Sequence, residues 1–191
     1  MRRTGICFTD RVMGVAQALT AFVLGLAAPA TAQTSNPSAL QAVAASCAGV
    51  TTAAGDVHSR LEAMYCGVNV VRRSFGLGPV RGNGPLNRSS VIKATAVRHC
   101  GFSHTPCGMS FSRTFQRAGY LPARAFGENL AWGQSELGSP LQTLSMWLNS
   151  PPHRANLLSR RWRDLGIAIQ RGQIFGRDNV SLWVMQFGLR R

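Results

Sequence analysis

Two stretches at the end of the chain, DLGIAIQ (164–170) and NVSLWVMQFG (179–188), alternate apolar and polar or small residues. A period of two over such lengths is the signature of strands, and the glycine-bearing RGQIFGRD between them predicts an antiparallel hairpin. Every earlier pattern has helical spacing instead. Leu61, Met64, Tyr65, Val68 and Val71 form one apolar face, which Gly76, Gly78 and Pro79 bring to a stop. LNRSSVIKATAVRH (86–99) is a weaker helical stretch because of its β-branched residues, and SFSRTFQRAGY (110–120) reads as a short helix ended by Gly119. Ser139-Pro140 is a helix start, with Leu141, Leu144, Trp147 and Leu148 on one face beyond it. Ser150-Pro151 repeats that signal for PPHRANLL. Helices first and a hairpin last predict an α+β sandwich, not a wound parallel sheet.

The N-terminus bears on the compartment. Arg2, Arg3 and Arg11 precede an apolar run that ends at Ala30-Thr31-Ala32, the layout of a secretory signal cleaved after Ala32. Residues 1–32 are accordingly expected to leave, residues 33–55 to form a flexible segment poor in large apolar groups, and residues 56–191 to form one domain. No later segment approaches the ~20 apolar residues a membrane span needs. The protein is expected to be secreted, extracellular or periplasmic, and not transmembrane. Cys7 would depart with the signal, leaving Cys47, Cys66, Cys100 and Cys107. In an oxidising compartment four cysteines make two disulfides with three connectivities, of which Cys47–Cys66 with Cys100–Cys107 is the most local.

Charge narrows the partners. The 21 basic residues outnumber seven acids; without residues 1–32 the formal charge is +12. Such a chain is drawn to an anionic cell-wall or lipid surface. No basic run with interleaved aromatics tracks a nucleic-acid strand, which argues against specific nucleic-acid recognition.

Few residues can carry chemistry. His58 lies beside Asp56 at the start of the first helix and is expected in solvent; His99 ends a helix, where a cation suits the dipole. His104 lies between Cys100 and Cys107 beside Pro106. His153 follows Pro151 and Pro152 in a first helical turn, and Glu128 sits in FGENLAWG between two glycines, read as a loop. A carboxylate in so apolar a stretch needs a partner. Nucleophilic catalysis lacks support: there is no G-x-S-x-G elbow, and the cysteines are expected to be oxidised. The cysteine spacing also fits neither a zinc knuckle nor a C-x-x-C redox pair.

CGVNVVRRSFGLGPV, GFSHTPCG, AGY, GENLAWG, WLNSPPHRANLL, DLGIAI and WVMQFG occur in an order and spacing that resembles bacterial members of the CAP superfamily, the cysteine-rich secretory, antigen 5 and pathogenesis-related proteins. The resemblance covers about residues 61 to 188. It implies an α-β-α sandwich with a small, mostly antiparallel sheet between helices. It also implies a cleft lined by two histidines and two acids, in which the histidines of several members bind zinc or another divalent metal. Here the matching residues are His104, Glu128 and His153. The second acid is missing, since Asn149 and Ser150 occupy that region.

Two imidazoles and one carboxylate suit zinc with a position left for water, or form an acid–base set. The N-terminal end of its helix should disfavour protonation of His153. The leading expectation is a binding module for a divalent metal and a small hydrophobic, lipid or cell-wall ligand. The alternatives are an extracellular hydrolase using His104, Glu128 and His153 as catalytic residues, and a cationic envelope adhesion protein. The missing acid favours binding over catalysis.

Overall fold

A computed structural model describes residues 36–190. The expected signal segment, with Cys7, lies outside the described residues.

Six α-helices and four strands follow in order among the described residues: α1 (Asn36–Ser46), α2 (Val57–Ser74), β1 (Arg81–Gly82), α3 (Gly84–Cys100), α4 (Arg113–Arg117), β2 (Ala125–Gln134), α5 (Pro140–Asn149), α6 (Pro151–Leu157), β3 (Asp164–Ile174) and β4 (Arg177–Leu189). Local chemistry sets several of the boundaries. Asp56 starts α2 by accepting a hydrogen bond from the Ser59 amide at 2.8 Å, and Asn83 does the same for α3 through Leu86 at 3.2 Å. Ser139 opens α5, its hydroxyl accepting from the Gln142 amide.

The C-terminal hairpin forms, with longer strands and a tighter turn than the glycines suggested. β3 runs on to Ile174 through a bulge, and only Phe175 and Gly176 turn the chain, both at positive φ. Two consecutive left-handed residues give the turn whose twist matches that of the strands it joins. The sheet order is β1-β3-β4-β2, with β1 parallel to β3 and the other pairs antiparallel.

Strand alternation sends Leu165, Ile167, Ile169, Trp183, Met185 and Phe187 to one face, where they pack with Val43 of α1, Met64, Val68 and Val71 of α2, and Leu144 and Trp147 of α5. Leu130, Ala168, Leu182 and Val184 face the other way, against Ala94 and Val97 of α3. The result is the expected α+β, α-β-α sandwich.

Two expectations are corrected. FGENLAWG is not a loop: residues 125–134 form β2, paired along its length with β4. Its glycines mark close approach. A Cβ on Gly133 would lie 2.2 Å from the Leu137 carbonyl oxygen, and one on Gly127 3.1 Å from Trp162. Residues 36–50 are likewise no flexible tether. α1 buries Ala39 and Val43, Val50 joins the same core, and Cys47 bridges Cys66 of α2. Small residues dock closely where large ones would hold two helices apart. The second bridge joins Cys100 and Cys107, so both local pairings form.

Candidate functional site

Glu128 lies on β2 two residues before Leu130, and alternation turns it to the α3 side of the sheet, opposite its register partner Gln186 on β4. Its carboxylate is buried, and each oxygen is engaged. Oε1 lies 2.8 Å from His104 Nδ1 and 3.4 Å from the ammonium of Lys93, a fully buried residue of α3. Oε2 accepts from Gln186 Nε2 at 2.7 Å, and that amide also donates to Thr114 Oγ1 at 3.2 Å. A charge this far from water persists only with such partners.

Lys93 serves two elements, because its ammonium also donates to the His104 carbonyl at 2.6 Å. The disulfide loop is therefore tied to α3 through His104 O and to β2 through His104 Nδ1. The His104 ring itself is half-exposed, at 48%, with Phe111 beside it.

His153 comes from the first turn of α6. Ser150 is the N-cap, yet its hydroxyl makes no bond to a helix amide; it meets His153 Nδ1 at 2.8 Å. Asn129 on β2 donates to the His153 carbonyl at 3.0 Å, and Asn156 of α6 donates to the Glu128 carbonyl and to Asn129 Oδ1, both at 3.1 Å. These amides lock α6 onto β2. The His153 pKa is depressed from its ordinary value, first by burial and then by the charge of His104. The direction is the expected one, with desolvation as the leading cause in place of the helix dipole.

Each imidazole thus commits Nδ1 to a fixed partner. With a carboxylate accepting at Nδ1, the tautomer of His104 that carries its proton there leaves Nε2 with a lone pair. His153 also borders a groove of about 280 Å³ lined by Phe102, Leu130, Trp132, Met146 and Trp147. Phe102 is 48% exposed and Met146 41%.

His58 and His99 lie elsewhere: His58 pairs with Glu62 at 3.1 Å on the exposed face of α2, and His99 is exposed at the end of α3. Asn149, near where the resemblance implies a second acid, contacts Asn36 and Ser145. Among the described residues, no group of three or more His, Cys, Asp or Glu side chains is arranged to hold a metal ion. Sequence reasoning missed Lys93, Gln186, Asn129 and Asn156. For Lys93 a signal existed, as the only lysine beside twenty arginines.

The three-layer sandwich is that of bacterial SCP domains. It is similar to an extracellular SCP-domain protein from Bacillus anthracis (TM-score 0.54, 18% identity, 72% of this chain and 45% of that one). It is also similar to an outer surface protein of Borrelia burgdorferi (TM-score 0.60, 19% identity, 72% of this chain and 97% of that one). In sequence, the uncharacterized protein YkwD of Bacillus subtilis is 25% identical over 120 residues, covering 62% of this chain and 43% of its own length. The chain belongs to the CAP family, the cysteine-rich secretory protein family, whose family model matches residues 67–187.

Proposed function

We propose that the protein is an exported binding module whose cleft takes zinc or a similar divalent ion on His104 and His153, with a small hydrophobic or cell-wall ligand in the adjoining apolar groove. The observation that carries this reading is the division of labour at the imidazoles: Nδ1 of each ring is held by Glu128 or Ser150, and Nε2 is left for a ligand. Glu128 already receives Lys93, His104 and Gln186 on a carboxylate with no exposed surface, which favours a positioning role over a place in the metal shell. The metal reading therefore fits two imidazoles with water or ligand completing the shell. Glu128 then acts from behind, fixing the orientation of His104 and raising its basicity. A bound ion would supply Lewis acidity to a ligand group beside Phe102 and Trp132. Two disulfides, family membership and the cationic balance support a location outside the cytoplasm.

Calorimetric titration with Zn²⁺ tests this. The parent should bind one ion per chain with micromolar or tighter affinity. His104→Ala and His153→Ala should each lose at least about tenfold, and His58→Ala nothing. Absence of stoichiometric binding, or equal binding in all three variants, overturns the metal site.

The His104–Glu128 pair also favours a second reading, acid–base hydrolysis of an extracellular substrate, since a buried carboxylate behind a half-exposed imidazole orients a base. That reading requires turnover that falls in Glu128→Gln while the protein stays folded.

A further inference from the structure

Sixteen arginines lie among the described residues, and none of them makes an ion pair with a described carboxylate; the ion pairs found there use His58, Lys93 and His104. Three of these arginines converge. Arg81 of β1, with Arg160 and Arg163 from the α6–β3 turn, lines an open groove of about 730 Å³. Leu77, Gly78 and Pro79 of the α2–β1 turn complete its lining. All three arginines are exposed.

The one acid in this groove is already engaged. Asp164 Oδ2 accepts the hydroxyl hydrogen of buried Tyr120 at 2.7 Å. Arg81 and Arg160 have no hydrogen-bond acceptor for their guanidinium groups among the described residues. Arg163 is held from one side only, with Nη1 donating to the carbonyls of Arg160 and Trp162 at 2.9 and 3.0 Å.

The groove is also rigid in advance. Buried Arg72 donates to the carbonyls of Gly78, Leu157 and Ser159 at 2.9 to 3.0 Å, and so ties the α2–β1 turn to the end of α6. The Arg81 amide donates to Arg163 O at 2.8 Å, and the Arg163 amide to Gly188 O at 3.1 Å. Three guanidinium groups around one carboxylate leave an excess of positive charge, and an anion entering the groove relieves their mutual repulsion. Arginine forks pair with the oxygens of phosphate in bidentate fashion. Forks from three separate positions suit a tetrahedral group better than a planar carboxylate.

We propose that the Arg81–Arg160–Arg163 groove is a binding site for a phosphate group, carried by an anionic lipid headgroup or by a soluble phosphate compound. The site uses no residue of the histidine cleft, so either can fail alone.

The test uses the purified protein and two probes: inorganic pyrophosphate by calorimetry, and phosphatidylcholine vesicles with and without phosphatidylglycerol by co-sedimentation. The groove variant is Arg81→Gln, Arg160→Gln, Arg163→Gln. A control with the same loss of charge, Arg98→Gln, Arg113→Gln, Arg117→Gln, removes exposed arginines outside the groove. The parent should bind at least one probe saturably. The groove variant should lose at least about tenfold in affinity and the control less than about twofold. Pyrophosphate binding without vesicle binding assigns the soluble source, and vesicle binding that needs phosphatidylglycerol assigns the lipid. Equal losses in the two variants, or no saturable binding of either probe by the parent, overturns the proposal.

Discussion

The two disulfides hold unlike regions. Cys47–Cys66 joins the segment after α1 to the middle of α2, and Cys47 is 5% exposed in the main core beside Val43, Val50 and Val68. Cys100–Cys107 links two exposed residues across a separation of seven. Its loop is held a second time by Lys93 at the His104 carbonyl and by Glu128 at the ring. The first bridge reinforces apolar packing. The second closes a loop whose histidine is oriented by buried charge, so its contribution to His104 is largely redundant. Fold and site therefore rest on different physics in one small domain.

The sharpest break in that contrast is Glu128→Leu. It leaves the fully buried ammonium of Lys93 without its carboxylate, and removing one partner of a buried pair costs about 3 to 5 kcal/mol. Adding Lys93→Met should recover much of that loss, because an apolar pair leaves no stranded charge, although the His104 carbonyl loses its donor. Urea unfolding of both singles and the double measures the coupling. Additive losses would show that the pair carries little of the energy at the site.

Next in size are the bridges. In the chain-entropy model, opening Cys47–Cys66 removes about 3 kcal/mol and opening Cys100–Cys107 about 2 kcal/mol. The informative readout is not stability alone. Cys100→Ser, Cys107→Ser should leave the NMR signals of the His104 ring near their parent positions, while Glu128→Leu moves them. Ring signals displaced as far by opening the bridge as by Glu128→Leu would make the bridge, and not the charges, the positioning device.

Much of this arrangement could be read from residues, and what could not has a physical cause. The β3–β4 hairpin and the Ser139 and Asp56 helix starts announce themselves because period and capping act over a few residues. β2 does not. Leu130 packs toward α3 and Ala131 toward the opposite core, so adjacent residues are both buried and the alternation of an exposed strand disappears. α1 shows little amphipathic contrast because its contacts are made by Ala39 and Val43. At the site, His104, Glu128 and His153 stand out as scarce residue types in distinctive surroundings. Gln186 is one polar residue in an apolar strand, and only the β2–β4 register places it opposite Glu128. The arginine groove is equally long-range, since Arg81 and Arg163 meet only because β1 pairs with β3.

The smallest expected effect tests His153. Its pKa is lowered in the folded protein, so below the ordinary imidazole value of about 6.5 the unfolded chain binds the proton more readily than the folded one. Stability at this position is present above that pH and is lost as pH falls through the depressed folded value. His153→Gln should flatten the acid limb of the stability–pH curve and leave the neutral region nearly unchanged, because Ser150, freed from the ring, can cap α6. His58, 83% exposed beside Glu62, provides the comparison, and His58→Gln should leave that acid limb as it is in the parent. An acid limb unaltered in His153→Gln would show that burial at the mouth of the cleft is too slight to hold this imidazole neutral. A divalent ion bound there as proposed would then be released in mild acid as readily as from an exposed pair of histidines.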